Sequence, residues 1–77
     1  METSQFIKNF ADQFDDTEVN VFTLETRFRE LDEWSSLNAL AVMNMVGKKY
    51  DVSLKPDEMK TANTVQELLN LVQSKKN

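Results

Sequence analysis

The sequence predicts an all-α fold, a small bundle of three to four helices with a long first connection. One glycine and one proline in 77 residues leave little material for the tight turns of a multi-stranded sheet. Apolar residues recur at helical spacing in three segments. Thr64 and Glu67 have the separation of a capping box, in which each side chain satisfies a free backbone amide at a helix start. Because a chain of this length builds one modest core, residues 1–77 are expected to form a single domain.

The first helix is expected to begin at a cap supplied by Thr3 or Ser4. Its apolar stripe extends to Phe14, and the pair Asp15-Asp16 is expected to end it. In residues 15–33 the signals are mixed. Val19 and Val21 alternate as in a short strand, whereas three later apolar residues recur at helical spacing and favour a turn or two of helix: Leu24, Phe28 and Leu31. A featureless loop of this length is unusual in a compact domain, so we expect a connection pinned by apolar side chains.

The clearest helix is predicted over residues 36–50, with Ser35 or Ser36 as its cap. A short helical segment is predicted at 56–59, because proline suits a first helical turn and acids suit its positive end. The last helix is expected to start after Thr64 and to fray over residues 74–77. Its core-facing residues are predicted to be Val65, Leu68, Leu69 and Val72.

The central helix has two apolar faces. At 100° per residue one sector contains a core stripe of Ala39, Val42, Met43, Val46 and Tyr50. The opposite side contains Leu37, Leu40 and Ala41, with Asn44 and Lys48. A domain this small rarely buries two faces of one helix, so an exposed apolar patch suggests a partner site. The alternative is that the long 15–33 connection folds over it.

Composition excludes several classes of function. The chain has no cysteine and no histidine, which removes thiolate catalysis, the usual general base and the commonest metal ligands. Asp32 and Glu33 lie beside the central helix without a recognisable second catalytic group, so neither an enzyme nor a metal site is expected. A net charge of −4 opposes nucleic-acid binding. No apolar run approaches a membrane span, no signal-peptide layout is present, and a cytoplasmic protein is expected.

The string WSSLNALAVMNMVGKKYDV, followed by TANTVQELLNLV, resembles an acyl carrier protein. That family shows Asp-Ser-Leu at the start of its second helix, an aromatic-acid-hydrophobic triplet at the end of that helix, and Thr-Val-x-x-Leu at the start of the last one. The matching residues here are Ser35-Ser36-Leu37, Tyr50-Asp51-Val52 and Thr64-Val65-Gln66-Glu67-Leu68. All three blocks keep the family spacing without gaps. The resemblance covers residues 24–73 well and the first helix loosely.

The resemblance implies a carrier with a 4′-phosphopantetheine arm attached covalently to Ser36. The terminal thiol of the arm would hold an acyl or aminoacyl group as a thioester, and docking enzymes would perform the catalysis. The implied partners are a phosphopantetheinyl transferase and acyl- or aminoacyl-loading and transferring enzymes, with the carrier itself a monomer. A phosphodiester on Ser36 would lie at a helix N-terminus, which favours negative charge. The alternative for this serine is a plain N-cap.

Two departures from the family pattern affect the implied function. Ser35 stands where the family has an aspartate that helps transferase recognition, so a carrier-fold domain that is never modified and acts as an interaction module is the alternative function. The docking helix also lacks the usual acids, since residues 35–50 contain none. We therefore expect weak docking to standard fatty-acid synthesis enzymes and a preference for dedicated partners. The expected contact residues are Ser35, Leu37, Leu40, Ala41 and Asn44.

Two further residues have alternative interpretations. Trp34, the only tryptophan, is expected either to cap the small core or to line the entrance through which a tethered chain enters the bundle. Gly47 is unusual inside a helix, where glycine costs about 1 kcal/mol relative to alanine. It either permits close approach of a partner or neighbouring loop, or is a tolerated cost near the helix end.

Overall fold

A computed structural model describes residues 2–76, and these contain helices and turns but no strand. Four α-helices follow one another in the chain: α1 (Thr3–Ala11), α2 (Ser36–Tyr50), α3 (Pro56–Met59) and α4 (Val65–Lys76). Single 3₁₀ turns at Val19–Val21 and Phe28–Glu30 interrupt the long connection between α1 and α2. The all-α fold with a long first connection is therefore confirmed. No helix within residues 2–76 has the length and apolar character needed to cross a membrane.

The boundaries of α1 differ from the sequence prediction. Glu2, rather than Thr3 or Ser4, is the cap, because its carboxylate accepts a hydrogen bond from Gln5 N at 2.9 Å. The helix ends at Ala11, four residues before Asp15. The chain then tightens into a turn in which Phe14 N donates to Ala11 O at 3.0 Å. Phe14 is buried in this turn, so the apolar stripe of the sequence extends beyond the last residue of α1.

The connection between α1 and α2 is held by aromatic side chains and by the start of α4. The strand-like alternation of Val19 and Val21 does not correspond to a strand, because these exposed residues form a 3₁₀ turn. Phe22 and Phe28 are buried, with ring centroids 5.8 and 5.3 Å from that of Phe10. Backbone amides of α4 also bond to the connection, with Gln66 N 2.9 Å from Leu24 O and Val65 N 3.1 Å from Thr26 O. The prediction of a pinned connection is confirmed.

The start of α4 is capped nearly as predicted. The Thr64 hydroxyl accepts from Glu67 N at 3.1 Å, but the Glu67 carboxylate accepts from Asn63 N at 2.7 Å, one residue earlier than in a standard capping box. The other end differs from the prediction, because residues 74–76 are helical instead of frayed. Lys76 Nζ donates to Tyr50 O at 3.0 Å and holds this end against the end of α2. Asn77 lies outside the described residues.

The core lies between α1, α2 and α4. Phe6, Phe10 and Phe28 are fully buried, and the predicted core residues of α4 are all buried. The core face of α2 is rotated from the predicted stripe: its buried residues are Asn38, Val42, Met45 and Val46. Ala39, Met43 and Tyr50 are only partly buried. The rotation arises because α2 packs against both α1 and α4, so two sides of the helix share the core.

Candidate functional site

The site begins where the long connection ends and α2 starts. Trp34 N donates to Leu31 O at 3.0 Å, which closes the last turn of the connection. Ser35 is extended (φ −156°, ψ 176°) and occupies the cap position, while Ser36 is the first helical residue. Both serines are exposed. Ser36 therefore projects from the first turn of α2, at the positive end of the helix dipole.

The two serines make different hydrogen bonds. The Ser35 hydroxyl lies 2.9 Å from Asn38 Oδ1 and donates to it, so it does not cap a helix amide. Asn38 is buried, and its Nδ2 donates to Gln13 O at 3.3 Å beyond the end of α1. The Ser36 side chain makes no hydrogen bond to any of residues 2–76. Ser35 is thus engaged in the fold, whereas the Ser36 hydroxyl is available to a reagent from outside.

The first turn of α2 contains no acid. Acids are the side chains that stabilise this end of a helix, and each of the other α-helices has one at its start. Glu2 caps α1, Asp57 and Glu58 lie in the first turn of α3, and Glu67 lies in that of α4. The longest helix therefore presents its first amides with neither a carboxylate nor a side-chain cap from the described residues.

A groove of about 570 Å³ opens beside Ser36, between α2 and α3. Its apolar wall is formed mainly by Trp34, Ala39, Leu40, Met43, Pro56 and Met59, and its basic residues are Arg29 and Lys60. No acid lines it. Arg29 is fixed in place, because its Nε donates to Ala62 O at 3.0 Å and its Nη2 to Met59 O at 2.6 Å. The groove thus combines apolar contacts with positive charge next to a free serine hydroxyl.

Trp34 packs on the core, as one of its two interpretations expected, whereas its role at the entrance for a tethered chain stays a prediction. Its ring packs on the core, with centroids 4.9 Å from Phe28 and 6.1 Å from Phe14. Its remaining surface lines the groove beside Ser36. The single tryptophan therefore connects the core to the site.

The outer face of α2 is exposed next to the groove. Leu37 is 78% and Leu40 is 54% accessible, Asn44 is exposed and Ala41 is partly buried. The long connection does not cover Leu37 or Leu40, so the alternative that it folds over this face is wrong for these two residues. Four of the five predicted contact residues thus lie on α2, and the fifth, Ser35, is the cap residue of this helix.

One comparison with known proteins identifies the family. The family model described as a phosphopantetheine attachment site matches residues 5–72. The chain belongs to this family. Domains of this family attach 4′-phosphopantetheine covalently to a serine and are generally non-catalytic carriers. No curated protein and no solved structure shows significant similarity to the chain.

Glu33 holds the residues just before α2 in place in this phosphopantetheine-binding domain. Its carboxylate accepts hydrogen bonds from Asp15 N at 2.7 Å, from Asp16 N at 3.0 Å and from the Thr17 hydroxyl at 2.7 Å. Desolvation acts to raise the pKa of Glu33, but these bonds together outweigh it and the pKa is lowered. The ionised carboxylate therefore links the turn after α1, by hydrogen bonds, to the segment just before Trp34.

Gly47 does not serve close approach of the neighbouring loop. A Cβ added there would meet Val52 O at 3.8 Å, an ordinary van der Waals distance, and the residue is exposed. Close approach of the neighbouring loop is therefore wrong, whereas close approach of a partner and a tolerated cost near the helix end both stay predictions.

Sequence reasoning missed several residues that shape the site of this carrier-family domain. Asn38 could have been found, because it follows Ser35 by one helical turn and is polar on the core side. Glu33 was considered only as part of a carboxylate pair, whereas it is a hydrogen-bond acceptor for the turn after α1. No sequence signal pointed to Arg29 and Lys60. They are separated by 30 residues in the chain, and only folding brings them to the same groove.

Proposed function

We propose that Ser36 carries the 4′-phosphopantetheine arm and that the protein is a monomeric acyl or aminoacyl carrier. The observation that carries this proposal is the difference between the two serines. Ser36 is exposed, free of hydrogen bonds to residues 2–76 and first in its helix, while Ser35 donates to Asn38. Family membership supplies the group, and this geometry supports Ser36 as its attachment point.

The surroundings of Ser36 fit the arm. Its phosphodiester would lie at the amides of the first turn of α2, which lack an acid and a side-chain cap. Lys60 and the fixed Arg29 guanidinium line the adjacent groove and add positive charge for the phosphate. The apolar wall that includes Trp34 and Met59 provides contacts for the alkyl portions of the arm. When bound, the arm supplies a terminal thiol that holds the cargo as a thioester.

The attachment step needs only a serine hydroxyl from this chain. The Ser36 oxygen forms a bond to the phosphorus next to pantetheine in coenzyme A, and the pyrophosphate P–O bond breaks. Adenosine 3′,5′-bisphosphate leaves, and the hydroxyl proton passes to a base of the transferase. Because the sequence has no histidine and no cysteine, both the base and the later acyl chemistry are assigned to docking enzymes.

Mass spectrometry after incubation with coenzyme A and several phosphopantetheinyl transferases tests the proposal. The expected result is a gain of one phosphopantetheine that persists in Ser35→Ala and disappears in Ser36→Ala. Ser36→Ala removes a hydroxyl that bonds to none of residues 2–76, and Ser35→Ala removes one hydrogen bond, to Asn38. Both variants are therefore expected to fold, which circular dichroism checks. Absence of any gain with every transferase, including one from the same genome, would reject it.

The second candidate is an unmodified carrier-fold domain that acts as a protein-interaction module. Ser35 favours it, because the family pattern places an aspartate at this position and transferases use that carboxylate. Under this alternative the exposed face of α2 is functional while Ser36 stays unmodified.

The partners we propose are a phosphopantetheinyl transferase and dedicated loading and transferring enzymes. The pathway is fatty-acid, polyketide-like or otherwise specialised, and a specialised one is favoured by the absence of acids in α2. Ser35, Leu37, Leu40, Ala41 and Asn44 form the proposed contact surface.

A further inference from the structure

The charges of the domain are segregated around α2. The whole chain has a net charge of −4, with 13 acidic residues. Residues 34–50 contain none of these acids and include Lys48 and Lys49, both exposed. The groove beside this helix adds Arg29 and Lys60 and again no acid. Within residues 2–76, α2 and the groove thus present basic side chains and no acid, while acids flank the helix at Asp32 and Glu33 before its start and at Asp51 beyond Lys48.

Helix stability accounts for only part of this pattern. Lysines in the last turn of a helix interact favourably with its negative end, which suits Lys48 and Lys49. The same reasoning favours an acid in the first turn, where α2 has none. A purely structural explanation thus predicts a carboxylate at the start of α2 that the sequence lacks.

The exposed leucines add an apolar centre to this basic surface. Leu37 and Leu40 are separated by one helical turn and are 78% and 54% accessible. Interfaces commonly have an apolar centre with a polar rim. In alanine scans of interfaces, the largest losses of affinity come from truncating residues near the centre. We call Leu37, Leu40, Ala41, Asn44 and Lys48 the leucine face.

Resting on the proposed function, we propose that the leucine face docks onto enzymes whose carrier pocket is apolar and rimmed by acidic side chains. Complementary charge speeds encounter, and like charge rejects wrong partners. Enzymes that present basic rims to acidic carriers are therefore disfavoured by this surface. An acidic partner attracts Lys48, whereas two copies of the leucine face would bring two Lys48 side chains together. A second copy of this chain is therefore a less favourable occupant.

The size of the face suits a transient complex. The 15 residues of α2 span about 22 Å, and one face of such a helix is smaller than the 1,200–2,000 Å² or so that stable interfaces bury. A carrier must leave one enzyme before it visits the next, so weak docking with charge-driven encounter is the expected behaviour.

The test measures binding of the Ser36→Ala protein, which cannot be modified, to two phosphopantetheinyl transferases. One transferase has an acidic rim around its carrier pocket and the other a basic rim. Calorimetry at low salt is expected to give a Kd at least about tenfold lower for the acidic-rim enzyme, with the difference shrinking at high salt. Equal binding, tighter binding to the basic-rim enzyme, or binding to neither would overturn the inference.

Matched variants locate the surface. Lys48→Glu with Lys49→Glu is expected to reverse the preference, whereas Lys8→Glu with Lys55→Glu, which changes the charge equally elsewhere, leaves it unchanged. Leu37→Ala with Leu40→Ala is expected to weaken binding at least about tenfold. Val19→Ala with Val21→Ala removes two exposed apolar side chains from the long connection and is expected to have no effect.

Two other occupants of the leucine face are outcomes that would reject the inference. One is a concentration-dependent dimer in sedimentation that Leu40→Ala abolishes. The other is binding to vesicles of anionic phospholipid that depends on the leucine face. Attachment to Ser36 is measured by mass spectrometry of the wild-type chain, and docking is measured by calorimetry of Ser36→Ala. Each proposal can therefore fail while the other stands.

Discussion

Ser35 donates its hydroxyl hydrogen to Asn38 Oδ1 across the first turn of α2, at a distance of 2.9 Å. Through Asn38 Nδ2 and Gln13 O, this bond connects the cap of α2 to the turn after α1. The cap residue thereby holds two elements in register. The neighbouring Ser36 hydroxyl has no hydrogen-bond partner among residues 2–76, and the proposed attachment at Ser36 rests on this difference between the two serines.

Replacing Ser35 by aspartate tests what this position contributes to modification. Aspartate cannot donate to Asn38, so its carboxylate is expected to turn toward the free amides of α2 and the approaching transferase. We expect Ser35→Asp to raise the rate of modification by a general transferase about tenfold, the effect of one charge-assisted hydrogen bond. A discontinuous assay that follows the mass of the modified protein measures it.

Ser35→Asn is the control for that experiment, because asparagine has the shape of aspartate without its charge. It is expected to leave the rate near that of the wild-type protein. Equal rates for the Asp and Asn variants would show that charge at this position plays no part in modification.

Much of the fold followed from periodicity and capping, while the site depended on contacts remote in sequence. Residues 36–50 were placed correctly because a long amphipathic pattern and an adjacent serine both mark that helix. The conformation at Val19 and Val21 was left open by the sequence, because alternation over three residues fits a strand and a 3₁₀ turn equally well. The roles of Asn38 and Arg29 are set by carbonyl groups at Gln13 and Met59, which no local pattern reveals.

Glu33 gives the stability a specific pH dependence. Its pKa is lowered in the fold, because hydrogen bonds from Thr17, Asp15 and Asp16 outweigh the opposing effect of desolvation. A lowered pKa means that the stabilisation is fully present above the ordinary glutamate value of about 4.5 and is lost as the pH falls through the lowered value. Glu33→Gln is expected to unfold at a lower urea concentration at pH 7 and to approach the wild-type midpoint as the pH falls below that range.

Asp32→Asn provides the comparison for Glu33→Gln, since it removes a neighbouring exposed carboxylate that makes no side-chain hydrogen bond to residues 2–76. From pH 7 to pH 3, the urea midpoints of this variant are expected to stay close to those of the wild-type protein. If the urea midpoints of Glu33→Gln and of the wild-type protein differ by the same amount at every pH, the proposed stabilisation by the ionised Glu33 carboxylate is wrong.

Gly47 is a position where the protein can be stabilised. A Cβ there meets only Val52 O, at 3.8 Å, and the residue lies inside α2, where alanine is favoured over glycine. Gly47→Ala is expected to raise the free energy of unfolding by about 0.5–1 kcal/mol, or the midpoint of thermal unfolding by several degrees. Gln73→Ala, on the exposed side of α4, is expected to change it by less than about 0.5 kcal/mol. A destabilised Gly47→Ala would show that this glycine has a structural role.

The fluorescence of Trp34 can report whether the groove is occupied. It is the only tryptophan, its inner side packs 4.9 Å from Phe28, and its outer side lines the groove beside Ser36. An arm that enters the groove would cover indole surface now open to water, so the emission maximum is expected to move to shorter wavelength on modification and further on loading of an acyl chain. Ser36→Ala, carried through the same reactions, is expected to keep the original spectrum. Unchanged emission in a protein that mass spectrometry shows to be fully modified would mean that the arm extends into solvent, away from the groove.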